Sequence, residues 1–179
     1  FLVNALHGNF GNSYRMAKPV LDLIADRLPA TLELAVTATV LAFLIGVPMG
    51  VYTGINRNGW LSRVFMVVSL VGVSLPTFLV GILLILTFAV WLGWLPSFGR
   101  GAMTHLGSWW TTGFTSWSGI RSLILPAVTL GLFQMTLIMR LVRAEMLEVL
   151  RTDYIKFARA RGLTNRAINF GHALKNTLV

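Results

Sequence analysis

The sequence contains no cysteine, and only 12% of its residues are charged. The absence of cysteine excludes a disulfide framework and a thiolate metal site. So small a charged fraction, beside 55% hydrophobic residues, is unusual for a water-soluble domain and predicts a membrane protein. Acidic residues are the scarcest, with 6 against 15 lysines and arginines. The net charge of +9 is compatible with contacts to nucleic acid, anionic lipid or an acidic partner.

Three long uncharged stretches predict transmembrane helices. The first, between Glu33 and Arg57, has 23 residues, which at a rise of about 1.5 Å cover a hydrocarbon thickness of about 30 Å. The second has 36 residues and contains Pro76, which predicts one tilted or kinked helix. The third has 18 residues and spans only if Arg140 and Arg143 snorkel to the interface. The predicted spans are residues 30–55, 64–95 and 122–143.

Lysines and arginines are distributed unevenly between the two sides that three spans define. Residues 56–63 and 140–179 contain ten of them, whereas residues 1–33 and 96–121 contain five. The positive-inside rule therefore places the C-terminal side of the chain in the cytoplasm. The predicted segments are a cytoplasmic segment at 144–179, an extracytoplasmic segment at 1–29 and an outer loop at 96–121.

Five of the tryptophans fall at or beyond the outer end of the second predicted span. They either form an interfacial aromatic belt or pack within the outer loop. These residues are Trp91, Trp94, Trp109, Trp110 and Trp117.

The stretch "TDYIKFARARGLTNRAINFGHALKN", residues 152–176, predicts a helix, a sharp turn and a second helix. Thr152 or Asp153 can cap the first helix, and Gly162 suits a left-handed residue at its end. Thr164 or Asn165 can cap the second helix.

A continuous helix over residues 145–161 would carry a polar face and an apolar face. The segment then either lies on anionic lipid or docks in a groove of another protein. Small residues at Ala158, Ala160 and Gly162 allow close backbone approach and favour docking. The predicted polar face holds Glu145, Glu148, Thr152, Lys156 and Arg159, and the apolar face holds Leu147, Leu150, Tyr154, Phe157 and Ala158.

The stretches "DYIKFARARGL" and "HALKN" resemble the cytoplasmic signature loop of ATP-binding-cassette importer permeases, and more narrowly the dipeptide, oligopeptide and nickel branch. Only Ala158, Gly162 and Leu174 match the broad Glu-Ala-Ala, Gly, Ile-x-Leu-Pro pattern. Lys156 and the "HALK" ending depart from it but are typical of the narrow branch. We call residues 152–176 the signature segment. The stretches "PVLDLIADRLPATLELA", "SLPTFLVGILLILTFAVWLGWLPSFGRG" and "LILPAVTLGL" occur in the order of the same branch.

This resemblance implies an all-α polytopic transmembrane bundle with the type I importer permease fold. The chain, which begins at Phe1 rather than at a methionine, is expected to be a fragment holding spans two to four of six, with a helix-turn-helix coupling segment. The implied location is the cell or inner membrane of a bacterium or archaeon. The implied solute is a di- or oligopeptide, although glutathione, nickel and sugar importers share this permease type.

The resemblance also implies partners: a second, different permease subunit, two cytoplasmic ATPase subunits, an extracytoplasmic solute-binding protein and membrane lipid, with no nucleic acid. ATP and magnesium would be bound by the ATPase subunits, so this chain is expected to hold no cofactor and to be a transporter subunit rather than an enzyme. No phosphate-binding G-x-x-x-x-G-K-[ST] loop occurs in the sequence. The expected ATPase contacts are Asp153, Tyr154, Ala158, Arg159, Ala160, Arg161, Gly162, Leu163 and Leu174.

Polar residues within the spans are candidates for the lining of a pathway, foremost Ser74, Thr77 and Gln134. The alternative for each is a hydrogen bond within or between helices. His7, His105 and His172 are too dispersed to predict a metal site. A channel or secondary transporter would need charged coupling groups in the spans, and the three uncharged stretches contain none. The remaining rival function is a membrane-anchored scaffold whose basic tail binds lipid or nucleic acid.

Overall fold

The structure is a computed structural model that describes residues 10–107 and 109–177. Its described residues are mainly helical, which confirms the predicted all-α class. Two short antiparallel hairpins accompany the helices: β1 pairs with β2 at Asn12 and Pro19, and β3 pairs with β4 at Thr104 and Thr112. In chain order the elements are β1 Asn12–Ser13, β2 Lys18–Pro19, α1 Val20–Ile55, α2 Trp60–Ser74, α3 Thr77–Leu84, a π-helical stretch Ile85–Trp91, β3 Thr104–Leu106, β4 Trp110–Thr112, α4 Trp117–Val149, α5 Asp153–Ala160, a second π-helical stretch Ala167–Ala173 and α6 Leu174–Thr177.

Helices α1 and α4 are each long and apolar enough to cross a membrane. Both are longer than the spans predicted at 30–55 and 122–143, because those spans were drawn around the uncharged stretches and the helices continue through the charged residues beyond them. Helix α1 begins at Val20, so part of the predicted outer segment 1–29 is helical, and Asp22 lies in its first turn, where a carboxylate suits the helix dipole. Helix α4 continues through Pro126, which removes one backbone donor without ending the helix.

The second predicted span, residues 64–95, differs from the expected single tilted or kinked helix. Helices α2 and α3 meet at a break where the chain bends by 109°. Pro76 causes the break, because a residue before proline is driven into the extended region, and Leu75 has φ −87° and ψ 134°. The bent pair is either one broken span or a re-entrant loop, so the described residues contain two or three crossings.

The chain divides into two compact units. The first unit comprises the described residues up to Thr37 together with Ile85–Ala127. The second unit comprises Ala38–Leu84 and the described residues from Val128 onward. In the second unit, a buried apolar cluster joins α1, α4, α5 and the C-terminal helical segments. Its members are Val51, Val142, Met146, Ile155, Ala158, Ile168 and Ala173.

Within the second unit, α1 packs closely on α4 through a row of glycines four residues apart. A Cβ atom at Gly46 would lie 2.9 Å from the carbonyl oxygen of Met135. A Cβ at Gly54 would lie 2.7 Å from the Cβ of Met146. Small residues at this spacing, Gly46, Gly50 and Gly54, let helix backbones approach closely within a membrane.

Candidate functional site

The signature segment starts as a new helix rather than as a continuation of α4. Helix α4 ends at Val149, and turn hydrogen bonds follow, including one from the Thr152 amide to the Val149 carbonyl (3.1 Å). Helix α5 then begins at Asp153. The start at Asp153 confirms the predicted cap at Thr152 or Asp153, whereas the break before it corrects the two faces assigned to a continuous helix over 145–161.

Helix α5 is anchored by two buried side chains, Ile155 and Ala158, both in the cluster with Met146 and Ile168. The sequence grouped Ala158 with Tyr154 and Phe157 on one face. The structure separates them, because Tyr154 and Phe157 are 43% and 63% exposed. Ala158 therefore packs against the chain's own core and is not among the side chains that α5 exposes.

The caps of the two helices fall at the predicted positions, with one difference. Thr152 is the N-cap residue of α5, but its hydroxyl donates to the Val149 carbonyl (2.7 Å) instead of accepting a bond from the helix. Asp153 lies in the first turn and pairs with Lys156 at 2.8 Å. The Thr164 hydroxyl accepts a bond from the Ala167 amide at 3.3 Å, at the start of the second helical stretch.

The turn after α5 has the hydrogen bonds of a Schellman motif. Gly162 has φ 80°, which confirms the predicted left-handed residue. The Gly162 amide donates to the Arg159 carbonyl (3.0 Å), and the Leu163 amide donates to the Ala158 carbonyl (3.3 Å). A Cβ on Gly162 would meet no atom within 4 Å, so only backbone conformation requires glycine here. The turn is thus fixed by the backbone and open to a partner.

Most of the predicted contact residues are exposed, on α5 and in the turn that follows it. Asp153, Tyr154, Arg159, Ala160, Arg161, Gly162 and Leu163 are all exposed. The Arg161 guanidinium lies over the Phe157 ring at 5.3 Å from its centroid, a cation–π contact. The exposed surface therefore contains a positive charge beside an aromatic ring. The Tyr154 ring meets His172 edge-on at 5.7 Å between centroids, and Leu174 is half-buried against the apolar cluster.

The prediction missed two exposed aromatic rings of the segment, Phe157 and Phe170. Phe157 was placed on the apolar face but was not chosen as a contact. Nothing in the sequence around Phe170 indicates that its ring is exposed, because the exposure depends on how the second helical stretch packs.

The predicted pathway residues do not form one site. Ser74 and Thr77 flank the break between α2 and α3, and the Ser74 hydroxyl donates to the Leu70 carbonyl (2.8 Å), the bond within a helix that was the stated alternative. A cavity of about 180 Å³ lies beside the break, and α4 contributes Met135 and Thr136 to its lining rather than Gln134. Gln134 is exposed elsewhere on α4.

The five tryptophans at or beyond the outer end of the second predicted span are mainly exposed. Four of them expose more than half of their surface, which favours an interfacial belt over packing within the loop: Trp91, Trp94, Trp109 and Trp117. Trp110 is half-buried and meets Trp109 edge-on at 5.5 Å.

Metal chemistry finds no support in the part of the chain that the structure describes. There, no three side chains from histidine, aspartate and glutamate lie close enough together to hold a metal ion. His105 and His172 belong to that part, whereas His7 lies outside the described residues.

Comparison with known proteins gives a consistent result. Residues 46–179 match the family model described as binding-protein-dependent transport system inner membrane component. Similar proteins include a peptide transport system permease protein of Brucella abortus (strain 2308), 38% identical over all of this chain and 54% of its own length. A second is the dipeptide transport system permease protein DppB of Alkalihalophilus pseudofirmus, which is 38% identical over 96% of this chain and 55% of its own length. A third is the glutathione transport system permease protein GsiC of Escherichia coli (strain K12), which is 36% identical over 100% of this chain and 53% of its own length.

The chain spans about half the length of the curated relatives it matches. Its match to the family model covers well over half of its residues, and its apolar helices agree with a multi-pass membrane protein. The chain belongs to the family of binding-protein-dependent transport system inner membrane components.

Proposed function

We propose that this chain is part of a permease subunit of an ATP-driven importer, and that the solute is a di- or oligopeptide delivered by an extracytoplasmic binding protein. Family membership supports the permease role, and two of the similar proteins are named for peptides or dipeptides. In this proposal the subunit moves the solute and is not an enzyme. ATP and magnesium are bound by separate ATPase subunits, and the bundle is completed by a second, different permease subunit in the lipid bilayer.

The observation that carries the proposal is the construction of the signature segment. Its inner side is fixed by Ile155 and Ala158, which are buried beside Met146 of α4. Its outer side exposes Tyr154, Phe157 and Leu163 around a turn held by backbone hydrogen bonds. A segment of this kind can transmit movement between a docked partner and α4. The backbone hydrogen bonds fix the turn, and the buried side chains of Ile155 and Ala158 fix α5 against α4, so a displacement of one moves the other.

We assign ATPase docking to this exposed side. The residues proposed for it are Asp153, Tyr154, Arg159, Ala160, Arg161, Gly162 and Leu163, with Ala158 and Leu174 supporting them from within. Closure of the ATPase pair would then displace α5 and, through the buried cluster, the end of α4. Ser74 and Thr77 at the helix break, and Gln134 on α4, stay proposed pathway residues.

The rival function, a membrane-anchored scaffold with a lipid-binding or nucleic-acid-binding tail, is not favoured by family membership. The exposed rings of Tyr154 and Phe157 beside Arg161 suit a protein groove as well as a lipid surface. An experiment that separates ATPase docking from lipid binding therefore decides between the two functions.

The decisive experiment is Gly162→Leu in the full-length protein, co-expressed with its ATPase subunits. A leucine at φ 80° costs about 1–2 kcal/mol, because its Cβ crowds the following carbonyl, so the exposed turn should rearrange. We expect the amount of ATPase that co-purifies to fall by about tenfold. Normal co-purification would contradict the docking proposal.

Two glycine variants control for this change. Gly162→Asn should retain docking, because asparagine tolerates the left-handed conformation. Gly171→Ala should also retain it, since a Cβ there meets no atom within 4 Å and the residue is helical.

A separate experiment tests the lipid-binding alternative. Charge reversal of Arg159 and Arg161 should abolish binding of the segment to anionic vesicles if lipid is its only partner.

A further inference from the structure

A second candidate site lies in the first unit, at a cavity of about 200 Å³ beside an ion pair. An Nη2 atom of Arg100 lies 3.2 Å from the Glu33 Oε2 atom. The same guanidinium donates to the hydroxyl and to the carbonyl of Thr111, each at 3.2 Å. Arg100 is therefore held in place by β4 independently of Glu33, and both members of the pair line the cavity.

One oxygen of this pair lacks a partner. The Glu33 side chain is only 6% exposed, and its Oε1 atom accepts no hydrogen bond within the described residues. A buried acceptor without a donor is costly, and Glu33 lines the cavity, so a donor group that enters the cavity would satisfy it. The Arg100 guanidinium has five N–H groups, and its three hydrogen bonds use three of them. Two N–H groups of the same guanidinium therefore remain as donors beside Glu33.

The charges around the cavity restrict the class of that group. A cation would approach Glu33 but be repelled by Arg100, and an anion would be repelled by Glu33. A neutral group that both donates and accepts fits the pair, because its donor can bind Oε1 while its acceptor binds the guanidinium. The rest of the lining offers apolar contact for a side chain: Ala30, Leu34, Leu123 and Pro126.

We propose that this cavity is a solute site that binds a main-chain amide of the peptide, with its N–H donating to Glu33 Oε1 and its carbonyl accepting from Arg100. The inference rests on the proposed function for its choice of an amide over a sugar hydroxyl, which has the same donor and acceptor pattern. The sequence predicts an outer position for Arg100, in loop 96–121, which is where a solute delivered from outside arrives first.

The test is protection of a cysteine placed in the cavity, in the full-length permease complex without ATP. Ser122 lines the cavity and is half-buried, and the chain has no cysteine of its own, so Ser122→Cys supplies a defined thiol in a protein otherwise freed of cysteine. We expect trialanine to slow its modification by N-ethylmaleimide. The matched control is Ser97→Cys, an exposed residue of the same unit outside the cavity, which trialanine should not protect.

Two variants address the amide contact itself. Glu33→Leu removes the acceptor, and the trialanine concentration for half-protection should rise by about tenfold or more. Because this variant also breaks the ion pair, Ala30→Leu is tested beside it: it fills the cavity and leaves Glu33 and Arg100 in place, and it should weaken protection comparably. Unchanged protection in both variants, or none in the parent, would overturn the inference.

Two further outcomes separate this inference from the proposed function. Protection by maltose equal to that by trialanine would overturn the amide assignment. ATP-driven uptake of trialanine without protection of Ser122→Cys would overturn the cavity site alone, whereas absence of any ATP-driven peptide uptake would overturn the proposed function.

Discussion

The first unit relies on polar bonds between segments distant in sequence, whereas the second unit relies mainly on apolar contacts between helices. In the first, Arg100 joins Glu33 across 67 residues and Thr111 across 11. In the second, the buried hydroxyls of Thr53 and Thr136 bond carbonyls of their own helices, at 3.0 Å each. One polar bond joins two of these helices, from the Arg143 guanidinium on α4 to the Thr53 carbonyl on α1 (2.5 Å), beside the close contacts made by glycines and methionines.

The difference concerns which changes each unit tolerates. A polar bond between distant segments fails when either partner is removed, because the other stays buried and unpaired. Contacts between close-packed helices fail when volume is added or removed. The two units should therefore respond to different substitutions, and each prediction below tests one side of this contrast by unfolding the purified full-length protein in sodium dodecyl sulfate.

The largest effect is expected from Arg100→Met in the first unit. Methionine keeps the length of the side chain but leaves the carboxylate of Glu33 buried without its cation. We expect the free energy of unfolding to fall by about 4 kcal/mol, as for one-sided removal of a buried ion pair.

The double variant Glu33→Leu with Arg100→Met should recover part of that loss, because no charge then remains buried. If the single and double variants unfold alike, the ion pair does not hold the first unit together.

An intermediate effect is expected from Ile155→Ala, which removes the anchor of α5 in the second unit. Ile155 is fully buried, so its truncation should cost about 3 kcal/mol through lost contacts and the cavity left behind. The matched control is Phe157→Ala, two residues away and 63% exposed, which should lower stability little but weaken ATPase co-purification. A comparable loss of stability in both variants would mean that α5 is not anchored on one side.

The sequence allowed prediction of features that depend on neighbouring residues. Apolar runs predicted the helices, Pro76 predicted a kink though not a bend of 109°, and Gly162 predicted a left-handed turn, because each follows from local sterics or burial. The Glu33–Arg100 bond could not be predicted, since both residues appeared only as charges bounding uncharged stretches. The face of Ala158 was misplaced because helical periodicity was carried through residue 152, and a helix that restarts at Asp153 begins a new phase.

The smallest effect is expected from Gly50→Ala, the mildest change that tests close packing in the second unit. The added Cβ would lie 2.7 Å from the Cβ of Val142 and 2.8 Å from the carbonyl oxygen of Met139, so α1 and α4 must separate slightly. We expect a loss of about 2 kcal/mol, typical of overpacking. Gly171→Ala adds the same methyl group where no atom lies within 4 Å, and it should lose nothing. Equal stability of the two variants would show that the glycine row does not set the separation of α1 and α4, and the contrast between the two units would then lose its basis in the second one.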